Sequence, residues 1–482
     1  MSDSRPILFI LGILMSTLAL AMCLPAVADV AVHNPDWEVF GLASAFTLLI
    51  GVMLMLTTRS ANHGLNQRQA FVLTSLSWAV LPAFAALPLT FSELELSYTD
   101  AFFEAMSGIT TTGATVLTGL DFAPPGILLW RALLQWLGGV GMIAMSIAIL
   151  PMLQVGGMEL FRPESTDRSD KVIPRAAQLI AFIGFIYLGT TLCCALAYWL
   201  AGMSGFEAVA HSMTTVATGG FSTSDQSIGH FASPTIDLIA IVFMILGSLP
   251  FVLYLRALRG NPGALWRDSQ VRWFLAIIAT GVVLLATYLH FTQGSGIGRS
   301  FRLAAFSVVS MITGTGYTTA NFTQWGSFAM ALLFCMIFFG GCAGSTTSGI
   351  KIFRFQVLYA SAVTQIRHML EPHGVFLAYF SERPIAESIS DSVMNFFFLY
   401  LVSIGVIATG LGLLGLDLLT SITGAAAAIC NVGPGLGPLI GPTHTYVSLP
   451  DSAKWLLSFG MLLGRLELFI VLVMLAPAFW RR

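Results

Sequence analysis

The chain has 482 residues, of which 56% are hydrophobic and only 10% are charged. A soluble globular protein of this length needs a more polar surface, so the composition indicates an integral membrane protein that contacts lipid. The formal net charge of −2 and the lack of a long Lys/Arg run exclude nucleic acid as a partner.

The chain starts with Arg5 followed by a long apolar run, which has two interpretations. At roughly 20 residues the run is long enough to cross a bilayer. It also leads to Ala26-Val27-Ala28, which is similar to a signal-peptide cleavage site. We interpret residues 1–28 as a retained first helix and keep cleavage as the alternative.

Further apolar runs follow, separated by hydrophilic connections. Short, half-apolar segments near 100–111, 205–217, 301–313 and 418–430 cannot cross and look re-entrant, because each leads into a Gly/Thr-rich turn. Spanning segments are predicted near 7–27, 36–57, 69–91, 126–152, 176–201, 232–255, 272–291, 326–343, 392–416 and 454–479.

Basic residues fall mainly on one side of this arrangement. With both termini cytoplasmic, most Lys and Arg lie in inner connections, including clusters at 162–175 and 256–272. Arg131, Arg299, Arg302 and Lys454 would lie outside, where acidic residues outnumber them and attract cations.

No enzyme site is predicted from this sequence. The six cysteines lie in apolar or small-residue stretches without metal-ligand spacing, and the eight histidines are scattered. We therefore expect no prosthetic group, and we interpret His211 as a hydrogen-bonded structural residue rather than a proton relay.

The re-entrant segments are repeats of one another. Residues 100–113 (DAFFEAMSGITTTG) match 207–220 (EAVAHSMTTVATGG) without a gap, and 303–316 (LAAFSVVSMITGTG) keeps the same register. Residues 420–433 (TSITGAAAAICNVG) are the most diverged. Each segment ends at a glycine, and the four glycines are Gly113, Gly220, Gly316 and Gly433.

Four such units in one chain predict an ion filter with pseudo-fourfold symmetry. A ring of carbonyls needs backbone angles that glycine adopts easily, and the C-terminal ends of the short helices would add partial negative charge. Asp100 and Glu207 lie near the helix starts, where we favour simple helix capping over a role in the electric field of the pore.

The turns 111-TTGAT-115, 218-TGGFST-223, 314-GTGYTT-319 and 431-NVGPGLG-437, with 340-GGCAGSTTSGIKI-352, resemble the Trk/Ktr/HKT superfamily of cation transporters. Within it the chain is most similar to bacterial TrkH/TrkG potassium-uptake subunits. The resemblance implies an all-α integral membrane fold with four pseudo-symmetric repeats (helix, pore helix, filter, helix) around one pore, plus two N-terminal helices. The implied division is 1–64 for the N-terminal hairpin, then 65–160, 161–267, 268–385 and 386–482 for the repeats.

In that family a glycine at each filter position goes with preference for potassium, and K⁺ is therefore the implied transported ion. Rb⁺ should also pass, because its size is close. The implied filter residues are Thr111, Thr112, Gly113, Thr218, Gly219, Gly220, Gly314, Thr315, Gly316, Asn431, Val432 and Gly433.

Residues 340–349 interrupt the second spanning helix of the third repeat, and the family uses this segment as an intramembrane gating loop. Irregular backbone at that depth must be buried in protein or line a cavity, although small residues also serve helix packing. Thr347-Ser348 makes this loop less glycine-rich than the family form. The implied gate residues are Gly340, Gly341, Gly344, Ser345, Thr346, Thr347, Ser348, Gly349 and Arg465.

Arg465 lies about 15 Å deep in the last predicted span. A charge at that depth usually faces a pathway or a partner, and Glu467 points to a different helix face. We expect Arg465 and the loop to form one gate.

The resemblance also implies a homodimer and a ring of TrkA-type nucleotide-binding subunits on the cytoplasmic face. The chain itself has no phosphate-binding glycine motif. A secondary transporter with inverted repeats is disfavoured, because these repeats are parallel. Proton or sodium coupling of potassium entry stays open, as does low K⁺/Na⁺ selectivity.

Overall fold

The computed structural model describes residues 4–59, 65–148, 157, 160, 172–294, 296–381 and 383–481. This part of the chain is mostly helical, as the composition predicts. A small antiparallel ribbon of β1 (Tyr379–Phe380) and β2 (Arg383–Pro384) lies in the connection before the fourth repeat. The basic cluster predicted at 162–175 lies outside the residues whose side chains are described.

Long apolar helices form the outer layer of the molecule. Their exposed faces carry large apolar side chains such as Leu42, Leu200 and Val406, each more than 60% exposed, as lipid contact requires. These helices are α1 (Arg5–Ala31), α2 (Asp36–Thr57), α3 (Gln67–Phe91), α5 (Pro125–Ala148), α6 (Val172–Leu200), α11 (Ser269–Gln293) and α15 (Glu387–Leu413).

Four short helices lie inside this layer, which confirms the re-entrant segments as separate helical elements. Three begin with a side-chain cap: Ser97 and Asp417 each accept from a backbone N–H three residues on, and Ser204 forms a capping box with Glu207. They are α4 (Tyr98–Ile109), α7 (Gly205–Val216), α12 (Ile297–Ile312) and α16 (Leu418–Cys430).

The second helices of repeats two, three and four are broken. The sequence predicts the interruption of repeat three at 340–349, but it predicts continuous spans in repeats two and four. α8 (Pro234–Ser248) and α9 (Phe251–Leu258) meet at 93°, and α17 (Asp451–Arg465) and α18 (Phe469–Leu475) meet at 114°. In repeat three the break is a loop. The remaining helices are α10 (Ala264–Arg267), α13 (Ser327–Met336), α14 (Ile352–Leu370) and α19 (Pro477–Arg481).

The break after Ser248 has a local cause, because Pro250 cannot donate a backbone hydrogen bond to a continuing helix. The break after Arg465 follows Gly464 and has no proline beside it, and Glu467 and Leu468 adopt positive φ angles that β-carbon residues rarely take. Hydropathy alone cannot reveal such a break. Seven helices of the described chain are long and apolar enough to cross a membrane, or up to nine with each bent pair counted as one span.

Glycines let the second helices approach the short helices closely. A β-carbon on Gly138 or Gly464 would lie 1.9 Å from the carbonyl oxygen of Ile109 or Ile429, respectively. These two isoleucines occupy the same position of the repeat, four residues before Gly113 and Gly433. In the fourth repeat the counterpart of Gly138 is therefore Gly464.

The structure thus has the all-α architecture that the resemblance implies, with four units arranged around a common centre and two additional helices at the N-terminus. Boundaries near 64, 160, 267 and 385 stay predictions. Whether residues 1–28 are retained also stays a prediction.

Candidate functional site

The four turns after the short helices share one backbone conformation. The residue two positions before each repeat glycine has a positive φ: Thr111 (52°), Thr218 (51°), Gly314 (70°) and Asn431 (52°). Three of these four are not glycine, so the left-handed conformation is imposed by the fold at a strained position. The helices end in equivalent ways, since the amides of Thr112, Gly219 and Val432 each donate to the carbonyl five residues earlier.

The repeat glycines form a closed ring. A β-carbon on Gly113 would lie 2.3 Å from the Gly219 carbonyl oxygen, and one on Gly220 would lie 1.8 Å from that of Thr315. One on Gly316 would meet Pro434 Cδ at 2.8 Å, and one on Gly433 would meet the Gly113 oxygen at 2.7 Å. Each repeat therefore abuts the next in the order one, two, three, four, one. We call Gly113, Gly220, Gly316 and Gly433 the glycine ring.

Four equivalent carbonyl groups next to this ring are buried and accept no hydrogen bond from the described residues. They belong to Thr111, Thr218, Gly314 and Asn431, the left-handed residues. Within the described part of the chain, none of the four accepts a hydrogen bond. Buried carbonyls are almost always paired, so the set is the part of the molecule best suited to replace the water around a cation.

A cavity of about 390 Å³ lies on the side of the glycine ring opposite to these four carbonyls, and all four ring glycines line it. Its wall carries the carboxylate of Asp225, which accepts from the amides of Gly119 and Leu120 at 2.8 and 3.1 Å. The Tyr446 hydroxyl donates to the Gly433 carbonyl at 2.9 Å. The ring thus has a water-accessible approach on one side.

Side chains of α5 hold the turn of repeat two. Gln135 Nε2 donates to the Gly219 carbonyl at 2.6 Å, and Gln135 Oε1 accepts from the Phe221 amide at 3.0 Å. The structure shows Gln135 bridging to the second turn, because α5 lies between repeats one and two.

A buried ion pair supports the first two turns. Arg131 Nε lies 2.8 Å from Glu104 Oε1, and Arg131 Nη1 donates to the Ser222 carbonyl at 2.9 Å. Glu104 also accepts from the Val116 amide and the Thr115 hydroxyl. Arg131 is 1% exposed, and its predicted place on the outer side of the membrane stays a prediction.

His211 occupies the position in repeat two that Glu104 occupies in repeat one. Its Nδ1 lies 2.9 Å from the Glu207 carbonyl oxygen and its Nε2 lies 2.9 Å from the Ser222 hydroxyl. Both ring nitrogens are thus engaged in local hydrogen bonds. This confirms the interpretation of His211 as a hydrogen-bonded structural residue.

Residues 340–349 form a buried loop between α13 and α14. The loop closes on itself, since the Gly340 amide donates to the Ile350 carbonyl at 2.8 Å. It also fills the break between α8 and α9: the Cys342 amide donates to the Ser248 carbonyl at 3.0 Å, and the Phe251 amide donates to the Gly344 carbonyl at 3.0 Å. Ser345, Thr346, Thr347 and Ser348 are buried, as are Gly340 and Gly341.

Thr346 connects this loop to the turn of repeat two. Its hydroxyl donates to the carbonyls of Gly247 (2.9 Å) and Val216 (3.1 Å) and lies 3.2 Å from the Thr218 hydroxyl. Thr218 is one of the left-handed residues beside the glycine ring. The loop therefore lies immediately next to the ring, on the side away from the 390 Å³ cavity.

Arg465 reaches across the centre from the end of α17. Its guanidinium donates to the Thr346 carbonyl (3.3 Å), to the Ser348 hydroxyl and to the Gly138 carbonyl (3.0 Å). The side chain is fully buried, and no carboxylate in the described part of the chain pairs with it. The structure thus brings together the two parts of the predicted gate.

The comparisons with known proteins agree with this arrangement. The family model described as TrkH, cation transport protein, matches residues 38–482. This chain belongs to the TrkH family of cation transport proteins. Members of the family are transporters and not enzymes, and the many apolar helices make this chain a multi-pass membrane protein.

Several family members match along their whole length. The chain is 45% identical to the Trk system potassium uptake protein TrkI of Halomonas elongata, over 99% of this chain and 97% of the relative. It is 38% identical to TrkH of Escherichia coli K12, with 99% of both chains covered. The crystal structure of the potassium transporter TrkH from Vibrio parahaemolyticus is 34% identical and superposes with a TM-score of 0.92, covering 99% of this chain and 100% of that one.

Sequence reasoning missed a group of buried charges beside the loop of this TrkH-family chain. Glu467 pairs with Arg354 of α14, whose guanidinium also lies 3.8 Å from the centre of the Phe396 ring. The Lys351 ammonium donates to the Thr347 carbonyl. A polar stretch directly after the loop was the available signal, but it resembles an ordinary cytoplasmic connection.

Proposed function

We propose that this chain takes up potassium across the bacterial inner membrane, with the glycine ring as a selectivity filter and K⁺ as the transported ion. The observation that carries the proposal is the set of four equivalent, buried and uncommitted carbonyls of Thr111, Thr218, Gly314 and Asn431. The names of the relatives, which are potassium uptake proteins and a potassium transporter, support the choice of ion.

The chemistry of the ring suits a weakly hydrated monovalent cation. Carbonyl dipoles that are held by the fold replace the water shell of such an ion without a fixed negative charge that would bind it too tightly to leave. The four short helices end at these turns, so their C-terminal partial charges add to the attraction. The implied filter extends over Thr112, Gly219, Thr315 and Val432 and the four ring glycines.

The loop at 340–349 and Arg465 form the closed gate in this proposal. The loop occupies the path immediately beside the ring, and the buried guanidinium opposes a cation that leaves it. Opening requires the loop to exchange the hydrogen bonds of Thr346 and Arg465 for other partners. Gly344 (φ 78°) and Gly349 (φ 76°) give the loop two positions that can change conformation at low cost.

Regulation in this proposal comes from outside the chain. With both termini cytoplasmic, α14 and the β1–β2 ribbon lie on the inner face, where apolar side chains such as Met369 and Val375 are 75% and 89% exposed. Such side chains support contact with another protein. We infer a homodimer that binds a TrkA-type nucleotide-binding subunit on this face.

Flux into liposomes tests the proposal. The purified chain is reconstituted alone, and entry of K⁺, Rb⁺ and Na⁺ is compared under an imposed negative-inside potential, with no proton or sodium gradient. We expect K⁺ and Rb⁺ entry to exceed Na⁺ entry at least tenfold. Protein-free liposomes provide the baseline.

Two other outcomes separate the alternatives. Equal Na⁺ entry would contradict the selective ring and favour a channel of low selectivity. K⁺ entry that appears only when a proton or sodium gradient is added would contradict the channel mechanism and favour a coupled symporter.

A further inference from the structure

A groove of about 610 Å³ runs along the lipid-facing side of the third repeat, between α11 and α13. Its wall is mainly apolar. The hydroxyl of Thr280 donates its proton to the Ala276 carbonyl at 2.9 Å, so that proton is not available to a ligand. The apolar lining consists of Ala276, Ile277, Gly281, Leu284, Leu332 and Met336.

One end of this groove is cationic. Ser269, Arg272 and Trp273 line it at the start of α11. Arg272 is exposed and makes no ion pair within the described residues. The nearest acid along the helix, Asp268, uses Oδ1 to cap the amides of Gln270 and Val271.

We propose that this groove binds one anionic phospholipid of the cytoplasmic leaflet, with the phosphate on Arg272 and an acyl chain along α11. From Ser269 to Leu284 the helix rises about 22 Å, enough for a headgroup and a chain in one leaflet of a bilayer core about 30 Å thick. Trp273 lies at the same end as Arg272, as expected of an aromatic residue at the membrane interface.

Charge complementarity favours an anionic lipid as the occupant. Arg256, Arg259 and Arg267 lie in the preceding segment on the same predicted cytoplasmic side as Arg272. Basic pockets between spanning helices on that side are typical sites for anionic headgroups. A second copy of the chain would need an acidic side chain opposite Arg272 as well as an apolar ridge that fills the groove.

The groove also contacts the base of the loop. Phe339 lines it and directly precedes Gly340, and the Phe339 ring lies 4.6 Å from that of Phe355 on α14. A bound acyl chain would therefore pack against the segment from which the loop starts. An effect of this lipid on the gate rests on the proposed function, whereas lipid binding itself does not.

Fluorescence quenching by brominated lipids tests the binding site without measuring transport. The full chain is reconstituted in phosphatidylcholine vesicles that contain 20% phosphatidylglycerol, and either lipid carries bromine on its acyl chains. The chain has 10 tryptophans, so the Trp273 signal is obtained as the difference between the unaltered chain and Trp273→Phe. Arg272→Gln removes the proposed phosphate contact, and Arg267→Gln is the matched control because Arg267 does not line the groove.

We expect brominated phosphatidylglycerol to quench the Trp273 signal at least threefold more than brominated phosphatidylcholine at equal mole fraction. Arg272→Gln should abolish this preference and Arg267→Gln should keep it. Ala276→Phe, which fills the groove without adding a tryptophan, should reduce quenching by the anionic lipid at Trp273. Equal quenching by the two lipids would overturn the proposal in favour of bulk lipid, and no quenching by either would overturn it in favour of a protein-covered groove.

Discussion

The hydroxyl oxygens of Thr218 and Thr346 lie 3.2 Å apart, and they join the turn of the second repeat to the loop of the third. Thr218 has a left-handed backbone conformation next to the glycine ring, while Thr346 also donates to two backbone carbonyls. Ring and loop are thus adjacent parts of one hydrogen-bonded unit. A displacement of the loop would break hydrogen bonds directly beside the ring.

Thr346→Val should loosen the loop. The change keeps the shape of the side chain but removes the hydroxyl that donates to Gly247 and Val216, and an unmade buried hydrogen bond costs about 1–3 kcal/mol. We expect resting K⁺ leak in liposomes to rise roughly 5- to 30-fold. Thr364→Val is the control, because the Thr364 hydroxyl bonds only within its own helix. Equal leak in both variants would refute the connection.

Two replacements of Arg465 should distinguish the effect of its charge on the resting leak from the effect of its hydrogen bonds. Arg465→Gln removes the positive charge, and Arg465→Lys keeps it but loses the planar fork that reaches Gly138 and the loop. We expect resting K⁺ leak to rise roughly tenfold or more in Arg465→Gln and less in Arg465→Lys, since a nearby charge is worth several kcal/mol even at an effective dielectric constant of about 20. Arg367→Gln on the cytoplasmic helix is the control.

Unchanged ion flux in the Arg465 variants would contradict the assignment of Arg465 to the gate. If Arg465→Gln and Arg465→Ala keep both the resting leak and the maximal flux of the unaltered chain, the arginine is no barrier. Size-exclusion profiles of each variant must match that of the unaltered chain, so that a change in flux is not the result of misfolding.

The loss of selectivity caused by alanine substitutions in the glycine ring should follow the closeness of the steric contacts. Gly220→Ala and Gly113→Ala place a β-carbon 1.8 and 2.3 Å from a carbonyl oxygen, whereas Gly316→Ala first meets Pro434 Cδ at 2.8 Å. We expect the K⁺/Na⁺ flux ratio to fall at least tenfold in the first two and less in Gly316→Ala. Gly184→Ala on α6 has open space around it and should change nothing. An unchanged ratio in Gly220→Ala would contradict the filter.

Gln135 offers a test of indirect support for the ring. Gln135→Glu keeps an acceptor for the Phe221 amide but replaces the donor to the Gly219 carbonyl with a repelling oxygen. Gln135→Leu removes both hydrogen bonds without adding charge. We expect both variants to lower the K⁺/Na⁺ flux ratio, Gln135→Glu more than Gln135→Leu. The reverse order would mean that packing, rather than the donated hydrogen bond, is the contribution of Gln135.

Glu467→Gln should destabilise the fold. The change leaves the Arg354 charge buried without its carboxylate, and removal of one partner of a buried ion pair typically costs about 3–5 kcal/mol. We expect a lower melting temperature in detergent, measured by size-exclusion fluorescence, with partial recovery in the double variant Arg354→Met/Glu467→Leu. Glu371→Gln, at an exposed position, is the control. A melting temperature equal to that of the control would show that the pair contributes little.

The repeats and their glycines could be predicted from the sequence because they depend on local properties. Each short helix has its own apolar stretch, and each turn has a glycine whose position recurs. The left-handed conformations of Thr111 and Thr218 could not be predicted, since threonine does not favour a positive φ. They follow from the packing of four turns around one centre.

Long-range partners were equally inaccessible to sequence reasoning. The break at Glu467 lies three residues after Gly464 and two after Arg465, and its carboxylate meets Arg354 from another repeat. Likewise, the sequence does not indicate that Arg131 is buried in the protein and pairs with Glu104. The alignment of Glu104 with His211 marked a polar position in the short helices, but it could not indicate either partner.

The most direct test of the ring is the position of a bound ion. Crystals of the purified chain grown or soaked with Rb⁺ or Tl⁺ would locate these potassium substitutes by anomalous scattering. We predict a peak on the central axis, within about 3 Å of the carbonyls of Thr111, Thr218, Gly314 and Asn431 or of the adjacent ring. Ions found elsewhere in well-ordered crystals, with none on this axis, would contradict it.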